Sequence, residues 1–309
     1  MTPEQIAELR SKRYNATVAY LKKVHSDLMI MRVQPDNPVP PHKPGQYTSL
    51  GLGNWEPRMP GCQEEVLKEE DRTKLVRRAY SMSCSILDAN DQLQDEQKPW
   101  IEFYIVLVRE TDNPNRAPGL TPRLFMLREG DRLNMLESCK GAYTLDGIKP
   151  TDTIIFLATG TGEAPHNYML WELLRNQHQG KILSACCVRY QRDLAYLDIH
   201  RKLEARFPNY KYLSLTTREN VGTRKVYIQD LITSGQLEEE LGQKLNPEST
   251  HVYLCGNPKM IGVPVKDKET GERKYPAERG VIEILEQRGF KADYAAAKFR
   301  GNIHFEEYW

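Results

Sequence analysis

Ile154-Ile155-Phe156-Leu157-Ala158-Thr159-Gly160-Thr161-Gly162-Glu163-Ala164-Pro165 is the stretch that decides the fold. Its apolar run predicts a buried strand, and the glycines that follow predict a turn that only glycine makes easily. Gly160 and Gly162 let a backbone approach a bulky anion, and the start of the next helix offers unpaired N–H groups to it. Pro165 is expected at the first helical position, where its missing donor costs nothing. The pattern Gly-x-Gly-x-x-Pro lacks the third glycine of the dinucleotide fingerprint. Taken alone, the turn serves equally well as a plain strand-to-helix connection or a phosphate site. Its company decides.

Working outward, strand and helix alternate after Pro150. Strand Thr153–Ala158 leads to helix Pro165–Arg175, and strand Ile182–Val188 to helix Leu194–Arg206. Strands Tyr212–Thr217 and Val252–Leu254 follow, then a helix near Glu278–Arg288. Such alternation makes a parallel sheet covered by helices on both faces, with its ligand beyond the carboxyl ends of the strands. Gly256, like Gly160, sits just past such an end. Before Pro150 the pattern is antiparallel. Candidate strands are Thr17–His25, Leu28–Gln34, Gln46–Leu52, Ala79–Ile86, Ile101–Arg109 and Asp131–Leu136, enough for a small barrel. Two polar insertions, Asn54–Val76 and Asp88–Pro99, read as too charged for core, and Val263–Pro276 as an exposed hairpin. The expectation is two domains, residues 1–149 and 150–309.

Composition sets the outer limits. The 309 residues suit two domains, and 43 basic against 42 acidic side chains give no field for nucleic acid. The basic clusters Lys12-Arg13, Lys22-Lys23 and Arg72 to Arg78 read either as solvated surface or as a docking patch for an acidic partner. None of the six cysteines forms a Cys-x-x-Cys pair or an iron–sulfur run, and Cys186-Cys187 read as reduced core thiols. No signal peptide or membrane-length apolar run is seen, so the expectation is a cytoplasmic protein without membrane insertion. The histidines show no metal spacing, and no Gly-x-Ser-x-Gly elbow is present. Trp55, Trp100 and Trp171 read as packing residues.

Two segments in the first half suggest a second phosphate site. Arg78-Ala79-Tyr80-Ser81 offers a bidentate cation, a ring that can lie on a planar ligand, and a hydroxyl at its edge. Gly119-Leu120-Thr121-Pro122 predicts a short helix to Leu127, with Thr121 as its N-cap and Pro122 at the first helical position, able to hold a diphosphate. By itself the tetrapeptide also reads as surface arginine and core tyrosine.

The order of segments settles this. Pro44-Gly45-Gln46-Tyr47, Arg78-Ala79-Tyr80-Ser81, Gly119-Leu120-Thr121, Gly160 to Pro165, Cys255-Gly256-Asn257-Pro258-Lys259-Met260 and the terminal Glu306-Glu307-Tyr308-Trp309 together resemble the ferredoxin–NADP reductase family, in its bacterial ferredoxin/flavodoxin form. The resemblance implies an FAD-binding barrel followed by an α/β domain for NADP(H), and electron transfer between NADPH and ferredoxin or flavodoxin. Hydride passes between nicotinamide and flavin, and single-electron steps follow. It implies that Arg78 contacts the FAD diphosphate, that Leu120 and Thr121 cradle it, and that Ala79 belongs to the same FAD-binding motif. Tyr80 stacks on the isoalloxazine, and Tyr104 and Ile105 line the FAD. Ser81 lies at the flavin N5, oriented by Glu306. Thr161 sits close to both cofactors, and Cys255 packs against the nicotinamide without a covalent bond. Tyr308 covers the flavin face that the nicotinamide must occupy, and Trp309 rests against the FAD.

Nucleotide choice is argued from the residues themselves. Enzymes of this topology that use NADP place a cation at the end of the second strand, where NAD enzymes place an acid. Here Arg189 ends that strand, Thr217 and Arg218 end the third, and Arg224 follows. Three guanidinium groups suit a dianion, and Gly160, Gly162 and Gly256 complete the expected NADP site. The alternatives are a general NADPH flavin reductase or diaphorase feeding an oxygenase, and a redox-sensing module that binds FAD and NADP(H) without turnover. A monomer is expected.

Overall fold

The computed structural model describes residues 1–39, 41–96, 98–219, 222, 224–267, 272–294 and 298–308. They fall into two compact units, Met1–Ser85 with Asp95–Thr144, and Ile86–Gln94 with Leu145–Trp309. No helix among the described residues is long and apolar enough to cross a membrane.

The first unit opens with helix α1 (Pro3–Arg13), which the sequence reading missed because none of its residues is buried. A capping box at Thr2 and Gln5 starts it, and ion pair Arg10–Glu56 fastens it. Strands β1 (Ala16–His25), β2 (Leu28–Pro35), β3 (Tyr47–Gly53), β4 (Leu75–Ser81) and β5 (Ile101–Val106) follow. Helix α2 (Thr121–Leu124) and β6 (Arg132–Met135) complete the unit. The antiparallel sheet runs β4-β3-β6-β1-β2-β5, and a bridge between Ser83 and Glu102 joins its two edges, curling it into the expected barrel. The predicted strand Ala79–Ile86 is displaced towards the N-terminus. β4 pairs with β3 from Leu75 to Ser81, and the chain then leaves the ladder. The predicted strand Ile101–Arg109 stops at Val106, where pairing with Leu28 ends.

The second unit holds β7 (Thr153–Thr159), α3 (Glu163–Arg175), β8 (Ile182–Val188), α4 (Leu197–Arg206), β9 (Tyr210–Thr216), α5 (Ile228–Ser234) and α6 (Gln236–Leu241). It continues through β10 (Thr250–Gly256), α7 (Pro258–Ile261), β11 (Val265–Lys266), β12 (Arg273–Lys274), α8 (Val281–Glu286) and β13 (Ile303–Glu307). The sheet order is β13-β10-β7-β8-β9, all parallel. β8 is buried along its whole length, as a strand covered on both faces must be. Alternate residues divide the sheet's two sides. Ile155, Leu157, Leu183, Ala185, Val252 and Leu254 pack on α5, α6 and α8 in an apolar core. The other side is more polar, with His166 beside Phe156 and His304 beside Tyr253.

Helix ends differ from expectation. Pro165 is the third residue of α3, which starts at Glu163 after a 3-10 turn over Gly160–Gly162. It is still tolerated, since the first four N–H groups of a helix have no partner within it. The helix expected from Leu194 starts at Leu197, behind a 3-10 turn at Gln191–Asp193, and the one expected near Glu278–Arg288 is Val281–Glu286. The hairpin expected over Val263–Pro276 pairs β11 with β12, and its tip lies outside the described residues. The polar segment Ile86–Gln94 joins the second unit, where the indole of Trp171 donates to the Gln94 carbonyl (2.8 Å) and Lys202 pairs with Asp91.

Burial sets a pH limit on the second unit. It lowers the pKa of His166 to about 3 and also lowers those of His178 and His251. The unfolded chain therefore takes up protons below about pH 6.5 that the folded chain refuses, so stability is full above that pH and drains as pH falls towards 3. Urea midpoints should fall between pH 7.5 and 5, by about 1.4 kcal/mol per pH unit for each such histidine within its window. His166→Gln should flatten the dependence. An unchanged slope in that variant would assign the effect to other groups.

Candidate functional site

In the first unit, β4 carries Arg78-Ala79-Tyr80-Ser81 in register with Leu50, Ser49, Thr48 and Tyr47 of β3. Arg78 and Ala79 are exposed, Tyr80 is half-buried, and Ser81 is buried. The Arg78 guanidinium donates to the Arg77 carbonyl at 2.8 Å and has no carboxylate partner among the described residues. The Tyr80 ring meets Phe103 edge-on at 6.4 Å. Tyr104 and Ile105 are buried on β5, opposite Ile30 and Met29 of β2.

The predicted cap at Thr121 is corrected. Leu120 is the N-cap of α2 and Thr121 its first residue, and the helix is a single turn ending at Leu124, short of Leu127. The Thr121 hydroxyl instead accepts from the Val108 N–H at 3.1 Å, tying this turn to the end of β5. The turn is fixed from below by Arg123, only 2% exposed, which donates to the carbonyls of Gly119 (2.5 Å) and Asn54 (3.0 Å) and pairs with Glu65. The insertion judged too charged for core thus supplies the counter-ion of a buried arginine. No signal in the sequence connects Glu65 to Arg123.

In the second unit, the strand order places β7 and β10 side by side where the sheet reverses its winding, and a crevice at their carboxyl ends is where such sheets bind ligands. Both ends are made of close backbone contacts. A Cβ on Gly162 would strike the Cys255 carbonyl, and one on Gly256 (φ +125°) would strike Thr159. Gly160 (φ +53°) differs, because a Cβ there would enter open space. A bulky anion has room on that side and backbone on the other, as the glycine argument requires. Thr159, which the sequence reading passed over, accepts from the Asn257 N–H at 2.7 Å and fastens the two strand ends together.

β13 lies against β10 with Glu306 opposite Cys255, and the Tyr308 N–H continues the ladder to the Gly256 carbonyl (2.9 Å). Cys255 is fully buried, and burial together with Glu306 pushes its thiol well up, so it is a neutral packing group. Thr161, Glu306 and Tyr308 are half-buried. Trp309 lies outside the described residues.

β8 and β9 end together, with the Thr217 and Arg218 N–H groups donating to the carbonyls of Val188 and Arg189. Arg218 is exposed and has no carboxylate partner among the described residues. Arg189 pairs with Asp193 at 3.3 Å and Arg224 with Asp230 at 3.1 Å. Arg218 is therefore the guanidinium most available to a dianion, and the other two must share theirs.

A family model described as Oxidoreductase NAD-binding domain matches residues 156–266. The flavodoxin/ferredoxin–NADP reductase of Shigella flexneri is 32% identical over 227 residues, covering 72% of this chain and 77% of that protein. Among solved structures, a ferredoxin NADP+ reductase from Neisseria gonorrhoeae with bound FAD and NADP aligns with a TM-score of 0.67 at 19% identity, covering 95% of this chain and 97% of its own. The ferredoxin–NADP+ reductase from Plasmodium falciparum with 2′P-AMP gives 0.62 at 16% identity, with 97% of each chain covered.

The glycine contacts make a direct prediction. Gly162→Ala should cost about 3 kcal/mol or more, because its obstacle is backbone that cannot rotate away. Gly160→Ala should cost only the strain of its φ, about 1–2 kcal/mol. Urea unfolding of the two variants separates them. Equal losses would mean that the Cys255 carbonyl yields.

Proposed function

We propose residue roles from one premise: this chain belongs to the flavodoxin/ferredoxin–NADP reductase family. It is an oxidoreductase that carries electrons between NADPH and ferredoxin or flavodoxin, with FAD as its flavin. The bound cofactors supply the chemistry, exchanging a hydride between nicotinamide and flavin and releasing electrons one at a time. What the protein adds is binding, orientation and the exclusion of water.

One observation supports the assignment of the two phosphate sites. Arg78 and Arg218 are exposed without a carboxylate partner among the described residues, and each lies in a segment whose motif calls for a phosphate. In the first unit Arg78 pairs with the FAD diphosphate, helped by the backbone at Leu120 and Thr121. The ring of Tyr80 stacks on the isoalloxazine, Ala79 leaves its approach clear, and Tyr104 and Ile105 line the flavin's seat. Ser81 holds a hydrogen bond at the N5 edge.

In the second unit the turn at Gly160, Thr161 and Gly162, with Gly256 facing it, takes the NADP(H) diphosphate. Arg218 and Thr217 bind the 2′-phosphate, with Arg189 and Arg224 exchanging their carboxylate partners for it. Cys255 and Glu306, opposite one another on β10 and β13, form the wall on which the nicotinamide rests. Tyr308 is the aromatic that must give way to the nicotinamide. A neutral Cys255 adds no charge of its own to that wall. We further assign the chain to the cytoplasm as a monomer that binds no nucleic acid. Six free cysteines and a net charge of +1 support that reading, and sedimentation checks the monomer.

The purified protein should be yellow with one FAD, bleach with NADPH under anaerobic conditions, and recover its colour when ferredoxin or flavodoxin is added. A colourless protein that takes up no flavin would refute the site assignment. Arg218→Ala removes charge-assisted hydrogen bonds worth about 1.5–3 kcal/mol, so kcat/KM for NADPH should fall by about 10- to 150-fold. The NADH value should stay within about twofold, since NADH has no 2′-phosphate. Equal losses with both nucleotides would mean that Arg218 holds something else.

A further inference from the structure

A carboxylate is buried directly behind the nucleotide turn. Glu163, the first residue of α3, is 3% exposed, at a place where a plain strand-to-helix connection would bury an apolar side chain. Burying an acid is costly unless it is hydrogen-bonded. Glu163 Oε1 accepts from the Tyr212 hydroxyl at 2.7 Å, and His200 Nε2 lies 3.2 Å from the same oxygen. The His200 ring stacks on Tyr212, with centroids 4.0 Å apart and planes within 9°, and its Nδ1 meets the Tyr210 hydroxyl at 2.8 Å. All four side chains are buried.

The path of this network matters more than its size. Tyr212 lies on β9, which is separated from β7 by β8, so the Glu163–Tyr212 hydrogen bond joins the start of α3 to a strand two places from β7. Both side chains interact with Cys186 of β8, whose thiol donates to the Gly160 carbonyl at 3.8 Å. Six residues beyond Tyr212, the same chain reaches Arg218. Glu163 thus ties the turn at the end of β7 to the strand that leads to the arginine two strands away.

We propose that Glu163 is a positioning residue that fixes the span between the diphosphate turn and the 2′-phosphate arginine, and so contributes to the preference for NADPH over NADH. The proposal rests on the assignment of those two sites made above. A ligand held at two points gains from the second only if the points match its own spacing. NADPH has both anionic groups and NADH only one, so a loosened span penalises NADPH more.

Calorimetry with NADP⁺ and with 2′-phospho-AMP, which lacks the diphosphate bridge and the nicotinamide, tests this without turnover. The variants are Tyr212→Phe, which deletes one hydroxyl, Glu163→Leu, and Glu163→Gln, which keeps an acceptor for Tyr212. Tyr212→Phe and Glu163→Leu should weaken NADP⁺ by about five- to tenfold while leaving 2′-phospho-AMP within about twofold. The NADPH/NADH ratio of kcat/KM should fall with the NADP⁺ affinity, and Glu163→Gln should restore both. If Glu163→Leu does not fold, Tyr212→Phe alone decides. Unchanged NADP⁺ affinity, or equal weakening of both ligands, overturns the proposal. A wild-type protein that binds neither ligand overturns the site assignment itself, a result recognisable before any variant is made.

Discussion

The second unit depends on two strands ending so close together that only glycine fits between them. Gly162 abuts the Cys255 carbonyl and Gly256 abuts Thr159, so β7 and β10 converge just where the sheet reverses its direction of winding. Interiors are close-packed, and backbone cannot rotate out of the way as a side chain can. The convergence therefore fixes the turn before α3 and the place where the chain's last strand must lie. β13 follows β10 in register, and Tyr308 continues that ladder beside Gly256. The glycine turn and Tyr308, 146 residues apart by number (Gly162 to Tyr308), are thus both set against the end of β10.

The two sides of the parallel sheet serve different ends. Towards α5, α6 and α8 an apolar core supplies non-directional stabilisation proportional to the area buried. Towards α3 and α4 the sheet buries Glu163, His200, Tyr210 and Tyr212, joined by the hydrogen bonds Tyr212–Glu163 and Tyr210–His200 and by the stacking of His200 on Tyr212. Such a network gains little net stability, because each group gives up water to join it. It does gain direction, since its geometry admits one arrangement of the turn over the sheet. On the assignment proposed above, a site that must match a ligand at two phosphates needs direction more than it needs stability.

The first unit reaches the same end with charge. The turn at Leu120 and Thr121 is one helical turn long, too short to define itself. Arg123 holds it from below through two carbonyls, and Glu65 neutralises the buried guanidinium. Losing Glu65 would leave a buried charge unpaired, which is far costlier than losing a surface ion pair. The polar insertion is thereby a structural part of the first unit, while Arg78 on β4 has no carboxylate partner among the described residues.

By itself the sequence determined the division into a β-rich half and an alternating half, the parallel strands, the glycine turn and the arginines at the strand ends. These are local features, set by residue periodicity and by the φ angles that glycine alone adopts freely. Family resemblance added the cofactors, through the order of short motifs. Only the tertiary structure decided that Thr121 bonds to Val108 rather than capping its helix, that Ile86–Gln94 belongs with the second unit, and that Arg218 is less engaged than Arg189 or Arg224. It also decided which partners Glu163 and Glu65 take, Tyr212 and Arg123. An acid in a sequence is by default a solvated one, and what makes it structural is a partner 49 or 58 residues away. Partners at that separation leave no periodicity to read, because they are chosen by how the chain packs and not by what stands next to them.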